Sequence, residues 1–437
     1  MEKEKRNYAL PIAMMFMLFA MISFVTGLAN PLGVIIKHQF DVPNWQTQLG
    51  NAANFIAYAF MGFPAGMLLE KKGYKITALT AVAIGFVGVG IQFLSGQVNP
   101  DFAFGIYLVG AFVSGFSMCT LNVVVNPMLN TLGGGGNKGN QLIQFGGSLN
   151  SIAATIVPIL VGYLMGDVAR AHISDSNPAL FIAMGIFALV FVVLAIVKLP
   201  EPGLEKTAKK VVSKVKDAHG PMSFRHFILG TVAIFIYVGL EVGIPNFVNL
   251  FLTTAKDAEG AAGFGMDAAM AGSITGTYWF LMMVGRLFGG ALGAKFSSRS
   301  QLTTVATIAM IFMLIGIFAP TNLTASMPVF KSDISFGLTT VPLGIMFLVI
   351  CGLCTSIMWG GIFNLAVEGI GKYTERGSGI FMVMVCGGGI LPLLQGALAD
   401  ITSSYMMSFW ICFGAAAYLL FYALIGSKNV NKDIPTE

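Results

Sequence analysis

Gly66-Met-Leu-Leu-Glu-Lys-Lys-Gly-Tyr-Lys75 concentrates one glutamate and three lysines between two apolar runs, residues 49–69 and 77–95. Each run has about 20 residues, the length that crosses a bilayer core as a helix. A charged turn between two such runs reads as the wet bend of a helical hairpin in a membrane. Its plan returns 224 residues later as Gly290-Ala-Leu-Gly-Ala-Lys-Phe-Ser-Ser-Arg299, again after an apolar run. In both copies glycine lets two helices approach closely, and cations beside helix ends are placed to clamp one face of a closed state. Glu70, Lys71, Lys75, Arg286, Lys295 and Arg299 are therefore the gating candidates. The plainer alternative is that they only mark the side of the membrane each turn faces.

The same alternation runs along the whole chain. Of 437 residues 56% are hydrophobic and 10% charged, against about 25% charged in a soluble protein, and the mean hydropathy is +0.79. This composition excludes a soluble enzyme and a nucleic-acid binder. Apolar runs fall near 9–30, 49–69, 77–95, 103–129, 141–165, 178–198, 227–252, 268–293, 302–319, 340–367, 378–399 and 405–426. The expected fold class is an all-α integral membrane protein of twelve transmembrane helices. Placing both termini and the loops after even-numbered runs on one side puts 20 of the 25 Lys and Arg residues there; Lys37, Arg170, Lys256 and Lys331 fall opposite, and Arg286 lies inside a run. By the positive-inside rule the termini are cytoplasmic. The opposite loops carry Asp41, Asp101, Asp167, Asp175, Asp257, Glu259, Asp267 and Asp333. Charge thus follows topology, and the short loops are those expected of a protein in a prokaryotic inner membrane. No cleaved signal peptide is expected from the mixed-charge start Met1 to Tyr8.

Sliding the chain on itself by 234 residues aligns Asn130 with Asn364, Lys138 with Lys372, Pro158 with Pro392 and Gly162 with Gly396. The stretch from Pro200 to His226, with Lys206, Lys209, Lys210, Lys214, Lys216 and Arg225, separates six runs from six. Three parts are expected: an N-terminal six-helix bundle at 1–199, a cytoplasmic linker at 200–226 and a C-terminal six-helix bundle at 227–437. Parallel six-helix repeats are the plan of transporters whose halves rock about a midplane site.

A carboxylate at bilayer depth is costly unless paired, protonated or ion-bound, so it is a functional candidate by default. Glu241 is the clear case, within Tyr237-Val-Gly-Leu-Glu-Val-Gly-Ile-Pro-Asn246, where Gly243 and Pro245 weaken the helix and free carbonyls for a cation. Neutral, it would carry a proton; ionised, it would hold sodium or be neutralised by Arg286 or an amide. Amides and aromatics form the second group, because hexoses take paired hydrogen bonds from Asn and Gln and stack on Trp or Tyr. The candidates are Asn30, Asn122, Asn126, Gln144, Asn150, Asn246, Asn249, Asn364 and Gln395, with Tyr278, Trp279 and Trp359. Asn122 and Asn126, four apart, share one helix face. Any one of these amides serves equally well as glue between helices. Their clustering in the first, fourth, fifth, seventh and tenth runs favours a site.

Remaining signals are weaker. Cys119, Cys351, Cys354, Cys386 and Cys412 all lie in apolar runs and read as small buried residues, including the Cys351–Cys354 CxxC, which has no second pair or histidine cluster beside it. The four histidines fall in loops, Gly133 to Gly136 lacks the rest of a phosphate loop, and no nucleophile with base and orienting partner emerges. No enzyme, metal or cofactor is expected.

The turn from Gly66 to Lys75 matches Gly-x-Leu-x-acid-base-x-Gly-x-base, with Glu70 at the acid; the second copy keeps Lys295 and Arg299 but has Ala294 at the acid. In this the chain resembles the major facilitator superfamily. Pro64-Ala-Gly66, Asn126-Pro127, Asn150-Ser151, Tyr237-Val-Gly239, Gly285-Arg286 and Gly387-Gly-Gly-Ile390 with Pro392 resemble its fucose, glucose and galactose permeases. The resemblance implies import of a monosaccharide by alternating access, with the lipid bilayer as surroundings. It also exposes a departure. Its proton-coupled relatives carry a carboxylate late in the first run and another just before the Asn-Pro of the fourth; Asn30 and Asn122 stand there in this chain. Coupling therefore moves to Glu241 with a proton or sodium, or is lost and leaves a sugar uniporter. A multidrug-type exporter of amphipathic compounds would want fewer amides, and a sensor or membrane enzyme would want a soluble domain or a catalytic set. A monomer is expected.

Overall fold

The computed structural model describes residues 8–40, 49–165, 172–201, 219–256, 261–293, 295–331, 333 and 335–436. Asp41, Asp167, Asp257, Glu259 and the linker lysines 206–216 lie outside them, as does the side chain of Asn30. The N-terminal elements are α1 (Ala9–Phe40), α2 (Leu49–Ser95), α3 (Pro100–Leu132), α4 (Gly136–Met165) and α5 (Asn177–Ile196). The C-terminal elements are α6 (Arg225–Thr253), α7 (Ala268–Gly293), α8 (Ser298–Phe318), strands β1 (Thr324–Phe330) and β2 (Phe336–Pro342), α9 (Leu343–Thr355), α10 (Met358–Val367), α11 (Thr374–Val383), α12 (Gly387–Thr402) and α13 (Tyr405–Phe421).

Eight stretches among the described residues are long and apolar enough to cross a membrane. One of them, Ala52–Ser95, has 44 residues, roughly 66 Å of helix at 1.5 Å per residue, twice what a bilayer core needs. The doubling is resolved at Gly73, whose φ of 79° and ψ of 179° break α2 inside the charged turn. Only glycine occupies that region of backbone space without strain. Glu201 clamps the new start, accepting from the backbone N–H of Tyr74 at 2.7 Å and of Lys75 at 2.9 Å. Its carboxylate satisfies N–H groups that the helix leaves open.

Prolines 64, 127, 245 and 392 sit inside helices, each removing one backbone donor. The span expected as one helix at 340–367 is a strand end followed by α9 and α10. At the junction Thr355 Oγ1 turns back to Cys351 O at 3.2 Å and Ser356 Oγ to Leu353 O at 2.5 Å, the back-bonding that bends helices. The antiparallel hairpin β1–β2, with Met327 opposite Thr339, was not expected from the hydropathy. Met327, Val329 and Val341 turn inward, Phe330 N donates to Thr277 Oγ1 at 2.9 Å, and Phe280 stacks on Phe330 at 4.9 Å. The hairpin is therefore stitched to α7. All five cysteines are free thiols, four buried and Cys386 half-buried.

The two groups of elements meet along two seams. At one, a Cβ on Gly66 would lie 2.8 Å from Gly379 Cα, so α2 and α11 touch backbone to backbone. At the other, Gly290 faces Phe145 and Gly293 faces Gln141, so α7 lies on α4. Both contacts sit at the ends of the helices that lead into the cation-bearing turns.

Candidate functional site

Arg286 on α7 is buried and bonded from all sides. Its Nη2 lies 3.1 Å from Glu241 Oε1 on α6, and the two side chains are 10% and 14% exposed. Nη1 donates to Ser151 Oγ at 2.7 Å, Gly147 O at 3.0 Å and Asn150 Oδ1 at 3.4 Å, all on α4. Nε donates to Ser356 O at 3.3 Å, between α9 and α10. One guanidinium thus joins a carboxylate of the C-terminal elements to a helix of the N-terminal ones. Its planar fork has enough donors for this; a lysine would present a point charge.

A chain of aromatic and amide groups continues from that pair. Tyr278 OH donates to Glu241 O at 3.2 Å and meets Thr355 Oγ1 at 2.9 Å. Tyr237 OH donates to Thr355 O at 3.2 Å, and its ring stands edge-to-face to Trp359 at 6.3 Å. Trp359 Nε1 crosses to α3, donating to Asn126 Oδ1 at 3.0 Å. Asn126 Nδ2 donates to Asn122 O at 2.9 Å, and Asn122 Nδ2 to Tyr58 OH at 2.9 Å. Trp359 also stands edge-to-face to Phe381. The result is a wall of rings and amides, bonded to one another, on the seam between the two groups of helices.

The model of the Major Facilitator Superfamily matches residues 12–393. The chain belongs to the Major Facilitator Superfamily. It is 28% identical to a protein named glucose/galactose transporter of Brucella abortus, over 97% of this chain and 96% of that one. Its identity to the L-fucose-proton symporter of Escherichia coli is 25%, over 91% and 88%. The crystal structure of a superfamily transporter, FucP, in the outward conformation superposes with a TM-score of 0.74 at 20% identity, covering 97% of this chain and all of that one. This superfamily member is a multi-pass membrane protein and not an enzyme.

The other expected residues divide by place. Asn150 joins the Arg286 set and its Nδ2 donates to Phe19 O at 3.4 Å. Gln144 Nε2 crosses between the groups to Ile357 O at 2.7 Å. Trp279 stands perpendicular to Tyr278 at 5.3 Å. Asn249 accepts from Thr275 Oγ1 at 3.5 Å, one turn beyond the half-buried Asn246. Gln395 lies apart, its Nε2 on Ser408 Oγ at 3.4 Å between α12 and α13. Asn30 is on α1. Asn364 is away from the aromatic wall, with Nδ2 on Ser298 Oγ at 2.9 Å and Oδ1 accepting from Asn130 Nδ2 at 2.8 Å.

Among the gating candidates, Arg286 alone is seen bridging the two groups through described contacts. Lys75 Nζ donates to Ala195 O at 2.7 Å and Val197 O at 2.9 Å, closing the end of α5 within its own group. Arg299 Nε donates to Ser427 Oγ at 3.2 Å, also within its own group. Glu70, Lys71 and Lys295 are exposed. Tyr58, Ser356 and Phe381 carried no signal in the sequence, and Ser298 stood only as a spacer in the second charged turn. Tyr237 and Ser151 stood in short motifs, and Asn130 in the repeat.

Proposed function

We propose that the chain is a monosaccharide importer of twelve membrane helices, two bundles of six (1–199 and 227–437) joined by the linker 200–226, working by alternating access with a cation carried through Glu241. The observation that carries this reading is the single guanidinium of Arg286 shared between Glu241 and α4. While Glu241 is ionised it holds Nη2, and Nη1 holds the neighbouring bundle. A proton on Glu241 removes the charge that fixes the guanidinium, and the seam between α4 and α7 becomes weaker. A ligand shifts such an equilibrium only by its differential affinity for the two states. Proton and sugar together must therefore favour closure around the cargo over either one alone.

Hexose, deoxyhexose and amino sugar are the substrate classes that fit the wall. Asn122, Asn126 and Asn150 supply the amides, and Trp359, with Tyr237 and Tyr278 behind it, supplies the ring faces. The relatives named for glucose/galactose and for L-fucose with a proton support sugar as cargo and the proton as the first choice of ion. Sodium, held by the Glu241 carboxylate, is the alternative ion. A monomer in the inner membrane with both termini cytoplasmic completes the proposal.

One observation favours a second reading, facilitated diffusion. Asn122 lies in a neutral network with Tyr58 and Asn126, so this position has no proton to give. Uptake by the reconstituted protein of labelled hexoses, deoxyhexoses and amino sugars, under separately imposed proton and sodium gradients, decides between them. Accumulation with one ion supports symport, and equilibration without accumulation makes the protein a uniporter. No uptake of any sugar overturns both.

A further inference from the structure

Asn130 Nδ2 donates to Asn364 Oδ1 at 2.8 Å, and the two residues are 234 apart, the same offset that aligns the fourth and tenth apolar runs. Residues related by a two-fold axis meet their own equivalents only where the axis passes between them; elsewhere a residue meets a different one. The pair therefore sits on the pseudo-axis that relates the two repeats. Asn130 lies two residues before the end of α3 at Leu132, and Asn364 three before the end of α10 at Val367. Both are in last turns, at the cation-bearing end of the molecule.

Neither amide is placed for a sugar. Asn364 is 5% exposed and spends its own Nδ2 on the buried Ser298. Beyond the pair, towards the cation-bearing end, a cavity of about 180 Å³ is lined by Asn137, Ser297, Arg299, Asn364 and Glu368. Inward of it, four to seven residues further back along α3, come Trp359 on Asn126 and the contact of Ser378 Oγ with Val123 O at 3.4 Å. Rocking about a midplane site separates groups in proportion to their distance from it, so a contact in terminal turns must break for this end to open.

We propose that Asn130 and Asn364 form the latch that holds the cation-bearing end shut, and that their hydrogen bond must break before the buried Ser378 is uncovered. This rests on the alternating-access part of the reading above and not on which cargo is carried. The latch is a neutral hydrogen bond, so it is weak enough to be broken in every transport cycle.

The test uses a full-length protein with its five native cysteines replaced and Ser378→Cys as reporter, in vesicles that expose the cation-bearing face. The rate of labelling by a small thiosulfonate is measured, normalised to labelling of the denatured protein. Asn130→Ala and Asn364→Ala should each raise the rate roughly 2- to 10-fold, the range for one neutral hydrogen bond. The double variant should exceed Asn364→Ala by nothing measurable, because both changes remove the same bond. Asn364→Asp still accepts from Asn130 and should label more slowly than Asn130→Asp, which sets oxygen against oxygen. Unchanged rates in the alanine variants, or additive effects in the double, would overturn the latch. Sugar uptake by the reporter protein is followed in parallel: its absence tells against the sugar reading, while the labelling result still decides the latch.

Discussion

Glu241 and Arg286 form an ion pair at 3.1 Å in which the arginine, through Nη1, is also bonded to Ser151 on the neighbouring group of helices. The carboxylate therefore acts on the seam through its partner. Removing either charge leaves the other buried, which costs about 3–5 kcal/mol when a buried pair is broken. This energy is the lever available to a coupling ion.

Glu241→Gln should abolish gradient-driven accumulation and leave counterflow exchange of the same sugar. The amide still reaches Arg286 but has no proton to carry. Loss of both activities with binding intact would contradict a coupling role, and a filter assay with labelled sugar on both sides of the vesicle measures it.

Arg286→Met should lower the melting temperature in detergent, since Glu241 is left without its counter-charge and Ser151 and Gly147 lose a donor. Adding Glu241→Gln to that variant should recover part of the loss, because the uncompensated charge is gone. A scanning-fluorimetry cycle over the four proteins gives the coupling. Purely additive shifts would mean the pair does not interact in the folded protein.

Trp359→Phe keeps a ring face and loses the indole donor to Asn126; Trp359→Ala loses both. Affinity for sugar should fall in the first by up to roughly 10-fold, since Asn126 loses the hydrogen bond of about 1–1.5 kcal/mol that positions it, and further in the second. Titration calorimetry is the readout; equal losses in the two variants would place recognition in the indole N–H, and a loss confined to Trp359→Ala would place it in the ring face.

Gly73→Ala forces a side chain into the backbone region at φ 79° and ψ 179°, a strain of about 1–3 kcal/mol. The melting temperature should drop while sugar affinity is unchanged, because Gly73 is at a turn remote from the Trp359 wall. A change of affinity without a change of stability would show that the turn communicates with the site.

Much of the molecule is legible one residue at a time. Apolar length predicts which segments are helical and membrane-spanning, the lysine distribution predicts their sidedness, and the lone intramembrane glutamate at 241 draws attention on cost alone. The repeat also shows in the sequence, as the 234-residue offset that pairs Asn130 with Asn364. The β1–β2 hairpin was hidden because two short alternating runs next to long apolar helices do not stand out in hydropathy. The break between α9 and α10 was hidden because Thr355 and Ser356 bend a helix only when their hydroxyls turn back onto it.

Partnerships across the seam are of another kind. Lys75 and Arg286 are both cations of similar standing in the sequence, yet one closes α5 of its own group and the other joins α6 to α4. Asn364 and Asn126 are both intramembrane amides, yet one meets its repeat counterpart at the end of the bundle and the other holds Trp359 in the aromatic wall. Hydropathy, charge and repeats are properties of a segment and are determined by the sequence alone. Which of two chemically equal groups meets a partner more than a hundred residues away depends on how two helical bundles are set against each other, and only the tertiary structure decides that.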